Sequence, residues 1–569
     1  MTTHDKPWRR PGAFAYARRR VRALVRPPVE VYETPADVVK HHDVAVTMAD
    51  GVVLRVNVYR PRGDGPFPVI LCAHPYGKDA LPSKKRRGWS FSPQYRIMNQ
   101  PQPVRFSDQT SWEAPDPAWW VAHGYAVVNA DTRGGGHSDG VGDLFSDQEA
   151  HDIFQLIEWA GSQPWSSGNV GMLGVSYLAI SQYKAAALHP PALKAICPWE
   201  GFTDAYRDIF TTGGIPENGF ARIWLFMTKR VARVATDLAA GRREHPLRDE
   251  WWEALTPDLA DITVPMLVCA SFSDDNLHSV GSMRAFQRVA SKDRFAYVHR
   301  GPKWATFYGE DARRVQLEFF DRYLKAADAP RPPRMRLEIR DTADHVVEVR
   351  SEDEWPLART QWTALRLGDG GALHTTHGAL HAADAADYAP TGSVTFDLRR
   401  DAALFRHDFA EDTEITGPMT LRLWVSSAGT DDPHLFVGVE KWSGSRYVPF
   451  EGSYGYGRDR VASGMLRVAM RELDEELSTP HQPEHTFRKL EPVDPGQVVE
   501  VLIPLTSSAT LFRAGESLRL FVAGRFPEPG NPFFGHFPAR YTPSRAGKAT
   551  IHWSAERPSA LEIPVIPWR

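Results

Sequence analysis

The fold is decided by the stretch from Gly168 to His189, which reads GNVGMLGVSYLAISQYKAAALH. It contains an apolar run typical of a buried strand (VGMLGV), then one serine, then an alanine-rich run typical of a helix. A serine on a sharp strand-to-helix turn exposes its hydroxyl at the sheet edge, where the next amide faces a developing oxyanion. We therefore expect Ser176 to be a nucleophile, although Leu178 replaces the second glycine of G-x-S-x-G and a serine here also suits a helix N-cap.

The chain around this stretch alternates short β-rich runs with amphipathic helical stretches from residue 42 to 326. That alternation predicts an α/β domain built on a parallel sheet covered by helices. The predicted strands are continuously apolar, as strands buried on both faces must be: Pro68–Ala73, Tyr125–Ala130, Val170–Val175, Leu193–Cys197, Pro265–Ala270 and Phe295–His299. Helical sequence at 201–261 interrupts the pattern, so we assign 42–200 and 262–326 to the α/β domain and expect 201–261 to be an inserted cap over a pocket.

A proline-rich linker, ADAPRPPR at 327–334, ends the helical pattern. Beyond it, short alternating runs separated by Gly, Pro and Asp turns predict a C-terminal β-sandwich of jelly-roll type over 335–569. Residues 1–41 form a basic arm, with eight Lys or Arg and one acid between Met1 and Arg26. We expect this arm to be a solvated extension or short helix, or else to dock on a membrane surface or a partner.

Composition narrows the class of protein. The 569 residues exceed the size of one hydrophobic core, and 67 Lys plus Arg against 70 Asp plus Glu leave a formal charge of −3 that disfavours nucleic-acid binding. No apolar stretch is long enough to span a membrane, and the cysteines (Cys72, Cys197 and Cys269) have the setting of core residues. We expect a cytoplasmic enzyme for a small-molecule substrate that needs no metal or organic cofactor; the sequence is also compatible with a homo-oligomer.

Two further strand ends can complete the chemistry of a serine nucleophile. In an α/β-hydrolase the serine is followed along the chain by an acid and then by a histidine. PMLVCASFSDDNLH ends one strand with Asp274 and Asp275, and FAYVHRGPKW ends the next with His299. We therefore expect Asp274 to be the acid and His299 the general base. His278, four residues after Asp274, is the alternative base or a substrate contact.

The residues after the first strand and around the predicted cap suggest how substrate is held. HPYGK at His74–Lys78 follows the first strand, so the Tyr76 hydroxyl could donate to an oxyanion beside the amide of Tyr177. Aromatic and acidic residues follow the strand before the cap or lie within the cap. We expect a substrate pocket lined by Trp199, Glu200, Phe202, Trp224 and Phe226.

Ordered blocks along nearly the whole chain resemble one known family. They include PFPVILCAHPYGK, HGYAVVNADTRGGGHSDG and IEWAGSQPWSSGNVGMLGVSYLA in the first domain, and GMLRVAMRELD and LFRAGESLRLFVAG in the last. The chain resembles the cocaine esterase-like branch of the X-Pro dipeptidyl-peptidase hydrolases. The resemblance implies an α/β-hydrolase domain with a helical cap, a C-terminal jelly roll, and ester or amide cleavage through an acyl-enzyme. It also implies Ser176 as nucleophile, Asp274 as acid, and Tyr76 with the Tyr177 amide as oxyanion hole.

The chain departs from the family pattern at two places. Ala179 stands where the family continues G-x-S-Y-x-G with its last glycine. The family's histidine commonly follows a Gly-Pro-Trp turn, whereas here Gly301 and Pro302 are followed by KWA, so we assign the base to His299. The expected function is a serine hydrolase of a small acyl ester or amide. The alternatives are an acyltransferase, an X-Pro or amino-acid ester-type peptidase, or a catalytically silent binding scaffold.

Overall fold

The computed structural model describes residues 13–98, 100, 103–274, 277–377, 391–455, 457–528 and 537–567. Its helices are α1 (Ala13–Val25), α2 (Gln94–Ile97), α3 (Pro117–Ala122), α4 (Asp147–Ser162), α5 (Tyr177–Ala187), α6 (Phe220–Val231), α7 (Leu238–Glu244), α8 (Glu250–Ala254), α9 (Ser279–Arg288), α10 (Lys303–Phe307) and α11 (Glu310–Leu324). The strands of the first domain are β1 (Val29–Tyr32), β2 (Val39–Thr47), β3 (Val53–Arg60), β4 (Phe67–His74), β5 (Ser83–Lys85), β6 (Gly88–Ser90), β7 (Val104–Ser107), β8 (Ala126–Asp131), β9 (Ser166–Val175), β10 (Leu193–Trp199), β11 (Met266–Ser271) and β12 (Arg294–His299).

The central sheet of this domain has the strand order β2-β3-β8-β4-β9-β10-β11-β12. The pairings from β8 to β12 are all parallel, while β2 and β3 join them antiparallel at one edge. All six predicted strands are present in this sheet, which confirms the predicted α/β architecture. Because the strands are parallel, the segments after β4, β9, β10, β11 and β12 all emerge at the same edge.

Alternate residues of the sheet face two hydrophobic cores. On β4, Val69 and Leu71 belong to one core and Ile70 and Cys72 to the other, as the period of a strand requires. Helix α4 buries Ile153, Leu156 and Ile157 against the first core, and α11 buries Phe319, Phe320 and Leu324 against the second. The sheet is thus covered on both faces and is a rigid support for residues at its edge.

The residues between β10 and β11 contain only helical elements, as predicted for 201–261. They are α6, α7 and α8, preceded by a π-helical turn at Tyr206–Phe210 and a 3-10 turn at Thr212–Gly214, and followed by a 3-10 turn at Leu259–Asp261. Cap residues such as Phe210, Leu225 and Trp252 belong to the same core as the strand residues of β10. The cap is therefore packed onto the carboxyl edge of the sheet.

The C-terminal domain consists almost entirely of strands. They are β13 (Met335–Thr342), β14 (His345–Glu352), β15 (Gln361–Gly368), β16 (Ala372–His377), β17 (Gly392–Asp397), β18 (Ala402–Asp408), β19 (Thr413–Ala428), β20 (His434–Ser443), β21 (Arg446–Val448), β22 (Phe450–Glu451), β23 (Gly457–Asp459), β24 (Ala462–Arg467), β25 (Val499–Phe512), β26 (Glu516–Ala523), β27 (Lys548–Trp553) and β28 (Ala560–Ile566). One group pairs β18, β26, β20 and β24, and another pairs β16, β15, β28, β19 and β25. Strand β13 also pairs with β12, so the two domains are joined through backbone hydrogen bonds.

The basic arm contributes one helix and one strand to the described residues. Helix α1 lies within it, and β1 pairs in parallel with β7. Across the described residues, every helix is too short or too polar to cross a lipid bilayer.

Candidate active site

Ser176 occupies a strained turn between β9 and α5. Its backbone has φ 58° and ψ −112°, which a residue with a side chain adopts only when its surroundings compel it. The backbone N–H of Ser176 donates to the Trp199 carbonyl of the neighbouring strand at 3.1 Å, and this bond helps to hold the turn. The side chain remains partly exposed, and Tyr177 begins the helix with its amide directed out of the helix end. The structure thus places Ser176 on a sharp turn between a strand and a helix.

A continuous chain of hydrogen bonds runs from Ser176 to a buried carboxylate. The Ser176 Oγ lies 3.2 Å from Nε2 of His278, and Nδ1 of His278 lies 2.5 Å from Oδ2 of Asp274. An ionised carboxylate only accepts hydrogen bonds, so a proton on Nδ1 points to Asp274 and leaves Nε2 to accept from the serine hydroxyl. Asp274 follows β11, and His278 immediately precedes α9, so one tight turn presents both side chains. Asp275, the other acid predicted there, lies outside the described residues.

His299 was predicted to serve Ser176, and the structure corrects this. The Nε2 atom of His299 lies 3.1 Å from Oε1 of Glu200, and the Gly301 N–H donates to Nδ1 at 3.1 Å. Because Nδ1 accepts from the backbone, Nε2 carries the proton and donates to Glu200. Both ring nitrogens are therefore bonded away from Ser176, in a buried pocket one strand further along the sheet.

Lys303 supplies a buried positive charge behind the histidine. Its Nζ lies 2.7 Å from Asp274 Oδ2, 2.9 Å from His278 Nδ1 and 3.5 Å from Glu200 Oε2. Burial alone would raise the pKa of Asp274, but the Lys303 and His278 charges outweigh it and hold that pKa well below its usual range. Burial, and then the Lys303 charge, lower the pKa of His278 against the opposing effect of Asp274. The imidazole is therefore kept neutral and able to accept a proton.

The C-terminal domain reaches this cluster through one loop. The Tyr454 hydroxyl lies 3.3 Å from Lys303 Nζ, and the Lys303 N–H donates to the Ser453 carbonyl at 2.7 Å. The Ser453 N–H in turn donates to the Ser273 carbonyl at 2.9 Å, directly before Asp274. The buried Arg300 guanidinium also donates to Ser273 Oγ and to Thr510 Oγ1, both at 3.1 Å. The turn that carries the acid and the histidine is thus fixed partly by the second domain.

The Tyr76 hydroxyl keeps a proton that it can donate. The indole N–H of Trp224 donates to the Tyr76 hydroxyl oxygen at 2.9 Å, and since an indole can only donate, the Tyr76 O–H proton must point elsewhere. Burial, and then Glu113, raise the pKa of Tyr76 well above its ordinary value, so the hydroxyl keeps its proton. The hydroxyl of Tyr177 is occupied, because it donates to Glu149 Oε1 at 2.5 Å. The backbone amide of Tyr177 is therefore the group of this residue that could donate to an oxyanion.

A cluster of aromatic rings contacts His278, Tyr76 and Tyr177. Trp224 and Phe145 stack with ring centroids 5.9 Å apart, Phe145 contacts Phe202 at 5.3 Å, and Phe202 lies parallel to His278 at 6.4 Å. Tyr76 contacts Tyr177 at 5.9 Å. The predicted pocket residues Phe202 and Trp224 therefore lie beside the histidine and the oxyanion donor.

Three predicted pocket residues lie elsewhere. Trp199 is fully buried in the core, where it packs against aromatic side chains of β12 and α10. Glu200 is fully buried, with one carboxyl oxygen 3.1 Å from His299 Nε2 and the other 3.5 Å from Lys303 Nζ. Phe226 is 59% exposed, beneath the Arg230 guanidinium. Residues two apart on a helix point to nearly opposite sides, so Phe226 cannot share the inward direction of Trp224.

The sequence prediction missed Lys303, Tyr454 and Phe145. Lys303 had a signal, because it stands in the turn where the resembling family places its histidine. The spacing of Asp274 and His278 was a signal for the general base, because one turn can present two side chains that are four residues apart. Tyr454 and Phe145 come from distant loops with no local motif, and only the tertiary structure brings them to the site.

Two clusters of the described residues have side chains close enough for a metal ion, Glu200 with Cys269 and His299, and Asp43 with Asp79 and His137. A lysine already lies in each. Lys303 Nζ is 3.5 Å from Glu200, and Lys78 Nζ is 3.0 Å from Asp43 and also binds Asp79. Burial raises the pKa of the Cys269 thiol well above its ordinary value, which keeps it in the protonated form that metals do not bind. In both clusters the acidic side chains form ion pairs with a lysine.

Comparison with known proteins places this site in a family. The model of the X-Pro dipeptidyl-peptidase (S15 family) matches residues 50–303, and that of the X-Pro dipeptidyl-peptidase C-terminal non-catalytic domain matches 328–562. A cocaine esterase of Rhodococcus sp. (strain MB1 Bresler) is 27% identical, over 92% of this chain and 98% of its own length. The crystal structure of a CocE/NonD family hydrolase from Staphylococcus aureus is 35% identical, with a TM-score of 0.84 over 93% of this chain and 94% of that one.

An aminopeptidase from a marine sediment archaeon, Thaumarchaeota archaeon, shares the fold with a TM-score of 0.69 at 19% identity, over 93% of this chain and 97% of that one. The matches span both domains and include the turn of Ser176. This chain therefore belongs to the X-Pro dipeptidyl-peptidase (S15) family, among its cocaine esterase-like CocE/NonD members, and is a serine hydrolase of ester or amide bonds.

Proposed function

We propose that the chain hydrolyses a small acyl or aryl ester through an acyl-enzyme on Ser176, with His278 as general base and Asp274 as its acid partner. The observation that supports this assignment is the unbroken chain of hydrogen bonds from Ser176 through His278 to Asp274. The assignment also removes the reason for expecting a silent scaffold, because that hypothesis rested on a missing histidine.

The reaction follows from these contacts. Ser176 Oγ attacks the substrate carbonyl carbon while its proton passes to Nε2 of His278. The Tyr76 hydroxyl and the Tyr177 amide donate to the oxyanion of the tetrahedral intermediate. The imidazolium returns the proton to the leaving alkoxide as the C–O bond breaks. Water then attacks the acyl carbon and gives its proton to His278, which passes that proton to Ser176 Oγ as the C–O bond to the serine breaks and a carboxylic acid leaves.

The charges around the site favour an ester without a required ammonium group. A peptidase or amino-acid ester hydrolase needs an anion for the substrate amine, and the sequence offered Glu200 for it. That carboxylate is bound to His299 and lies near Lys303. Glu113 is buried beside the site with one carboxyl oxygen unpartnered, but burial raises its pKa to about 8, so it is largely neutral near pH 7. The aromatic lining therefore suits an apolar acyl or aryl group.

Two further features belong to this proposal. Acyl transfer to an alcohol or amine is the alternative reaction of the same acyl-enzyme, and an added acceptor that competes with water would reveal it.

The proposed location is the cytoplasm, and the free, buried cysteines of the described chain suit a reducing compartment.

Labelling with a fluorophosphonate tests the nucleophile. We expect intact-mass analysis of the wild-type protein to show one adduct, and peptide mapping to place it on Ser176. Ser176→Ala is expected to stay unlabelled, because activated serine oxygen is the atom that displaces fluoride.

Folding of Ser176→Ala is checked by its thermal unfolding midpoint, which should match the wild type. A folded wild-type protein that resists the probe, while a known serine hydrolase reacts in the same tube, would overturn the assignment. Labelling at any other serine would do the same.

The pH profile tests the electrostatic role of Lys303. Nε2 of His278 must be unprotonated to accept the serine proton, so kcat/KM falls as the pH drops below the pKa of His278. Burial and Lys303 lower that pKa. We therefore expect the fall of kcat/KM on the acid side of the pH profile, the acid limb, to lie below the ordinary histidine pKa of about 6.5. Lys303→Met removes a positive charge 2.9 Å from the ring, and we expect the limb to move to higher pH by about one to two units.

Lys441→Met is the matched control. Lys441 is another fully enclosed lysine, paired with Glu516 at 2.8 Å in the C-terminal domain, so its loss should leave the limb unmoved. An acid limb that stays in place in Lys303→Met, or moves to lower pH, contradicts the proposed role of Lys303.

A further inference from the structure

Helix α1 carries an apolar stripe that the described residues leave exposed. Phe14, Val21 and Val25 are 87%, 63% and 68% exposed, and their spacing of seven and four residues puts them on one side of the helix. Leu24, 37% exposed, extends the stripe at its edge. A cluster of large apolar side chains on the surface marks a place that binds something.

The opposite side of α1 is fixed to the protein. Arg20 is buried and its guanidinium donates to the Ile97 carbonyl, while Arg19 pairs with Glu451 at 2.7 Å. Arg96 donates to the carbonyls of Leu24 and Val25, which end the helix, at 3.1 and 3.0 Å. These contacts set the rotation of the helix, so the stripe faces outward.

Positive charge borders the stripe. Arg18 and Arg22 are exposed on the flank next to Phe14 and Val21, Arg26 follows at the helix end, and α1 contains no acidic residue. The whole chain has a formal charge of −3, so this concentration of cations is local.

We propose that α1 is a docking helix for an anionic phospholipid surface, with Phe14, Val21 and Val25 inserted at the interface and Arg18 and Arg22 contacting the headgroups. An amphipathic helix with a basic flank binds such surfaces through apolar burial and charge together. A second copy of the chain fits less well, since a two-fold contact would bring two basic flanks together and α1 has no acidic residue to pair with them. Nucleic acid would use the cations but leave the stripe without a partner.

Vesicle sedimentation tests the proposal with the full chain. We expect the wild-type protein to bind vesicles of phosphatidylcholine with about a quarter phosphatidylglycerol, and to bind phosphatidylcholine vesicles far less. High salt should weaken binding, because it screens the headgroup charge. The double variant Arg18→Glu with Arg22→Glu should lower partitioning at least about 30-fold, since each arginine near an anionic surface contributes about 1 kcal/mol.

The double variant Phe14→Ser with Val21→Ser should lower partitioning about tenfold or more through lost apolar burial. Leu404→Ser, which removes a 57% exposed leucine from β18, is the matched control and should bind like the wild type. All variants should keep wild-type ester hydrolysis and thermal unfolding, which shows that they are folded.

Equal sedimentation with both vesicle types, or with neither, overturns the proposal, as do α1 variants that bind like the wild type. Analytical ultracentrifugation provides a further test. A wild-type dimer that Val21→Ser converts to monomer would assign the stripe to a second copy of the chain and overturn lipid docking. Because these readouts measure binding, they do not depend on the proposed catalytic residues.

Discussion

Replacing His278 with alanine is expected to lower kcat/KM for a p-nitrophenyl ester by about 10⁴- to 10⁶-fold, the range typical of losing a triad member. The physical reason is that Ser176 Oγ has its base at 3.2 Å in His278, and the chain of bonds continues to Asp274. Without the imidazole, the serine proton has no acceptor and the hydroxyl attacks poorly. The rate of fluorophosphonate labelling should fall in parallel.

His299→Asn is the discriminating control for this experiment. His299 bonds to Glu200 and accepts from Gly301, so its loss should cost about 1–3 kcal/mol of unfolding free energy and change kcat/KM less than about tenfold. Urea unfolding measures the first quantity and steady-state kinetics the second. Near-wild-type turnover in His278→Ala together with inactive but folded His299→Asn would restore His299 as the base and refute the assignment.

Removing the hydroxyl of Tyr76 is expected to have the next largest effect. Tyr76→Phe should lower kcat about 10²- to 10³-fold with little change in KM, because an oxyanion donor acts mainly in the transition state. The donor is ready for this role, since Trp224 donates to the Tyr76 oxygen at 2.9 Å and a raised pKa keeps the phenol protonated. Single-turnover kinetics of acylation measure the loss directly.

Two variants define what the Tyr76 result means. Trp224→Phe removes the bond that orients the Tyr76 hydroxyl without removing the hydroxyl, so a smaller loss of about tenfold is expected. Tyr183→Phe deletes a hydroxyl in α5 that is buried without a hydrogen-bond partner among the described residues, and should leave kcat unchanged. A Tyr76→Phe enzyme with wild-type kcat would exclude this hydroxyl from the oxyanion hole.

The sequence by itself determined those parts of the site that depend only on residues adjacent along the chain. Val170–Val175 must be a buried strand and the alanine-rich run after Ser176 a helix, so the nucleophile turn follows from local chemistry alone. Asp274 was predictable in the same way, because it directly follows a buried strand whose carboxyl end lies at the same sheet edge. The parallel sheet followed from the alternation of strands and helices.

Only the tertiary structure decided which histidine faces Ser176. His278 and His299 both follow strands, but a sequence does not state the direction of a side chain after a turn. The turn before α9 directs the His278 ring to Ser176, whereas the Gly301 amide and Glu200 hold His299 one strand away. Lys303 and Tyr454 reach the cluster from a neighbouring turn and from the other domain. Such contacts depend on how separate elements pack together, and that information is spread over the whole chain rather than carried by any one motif.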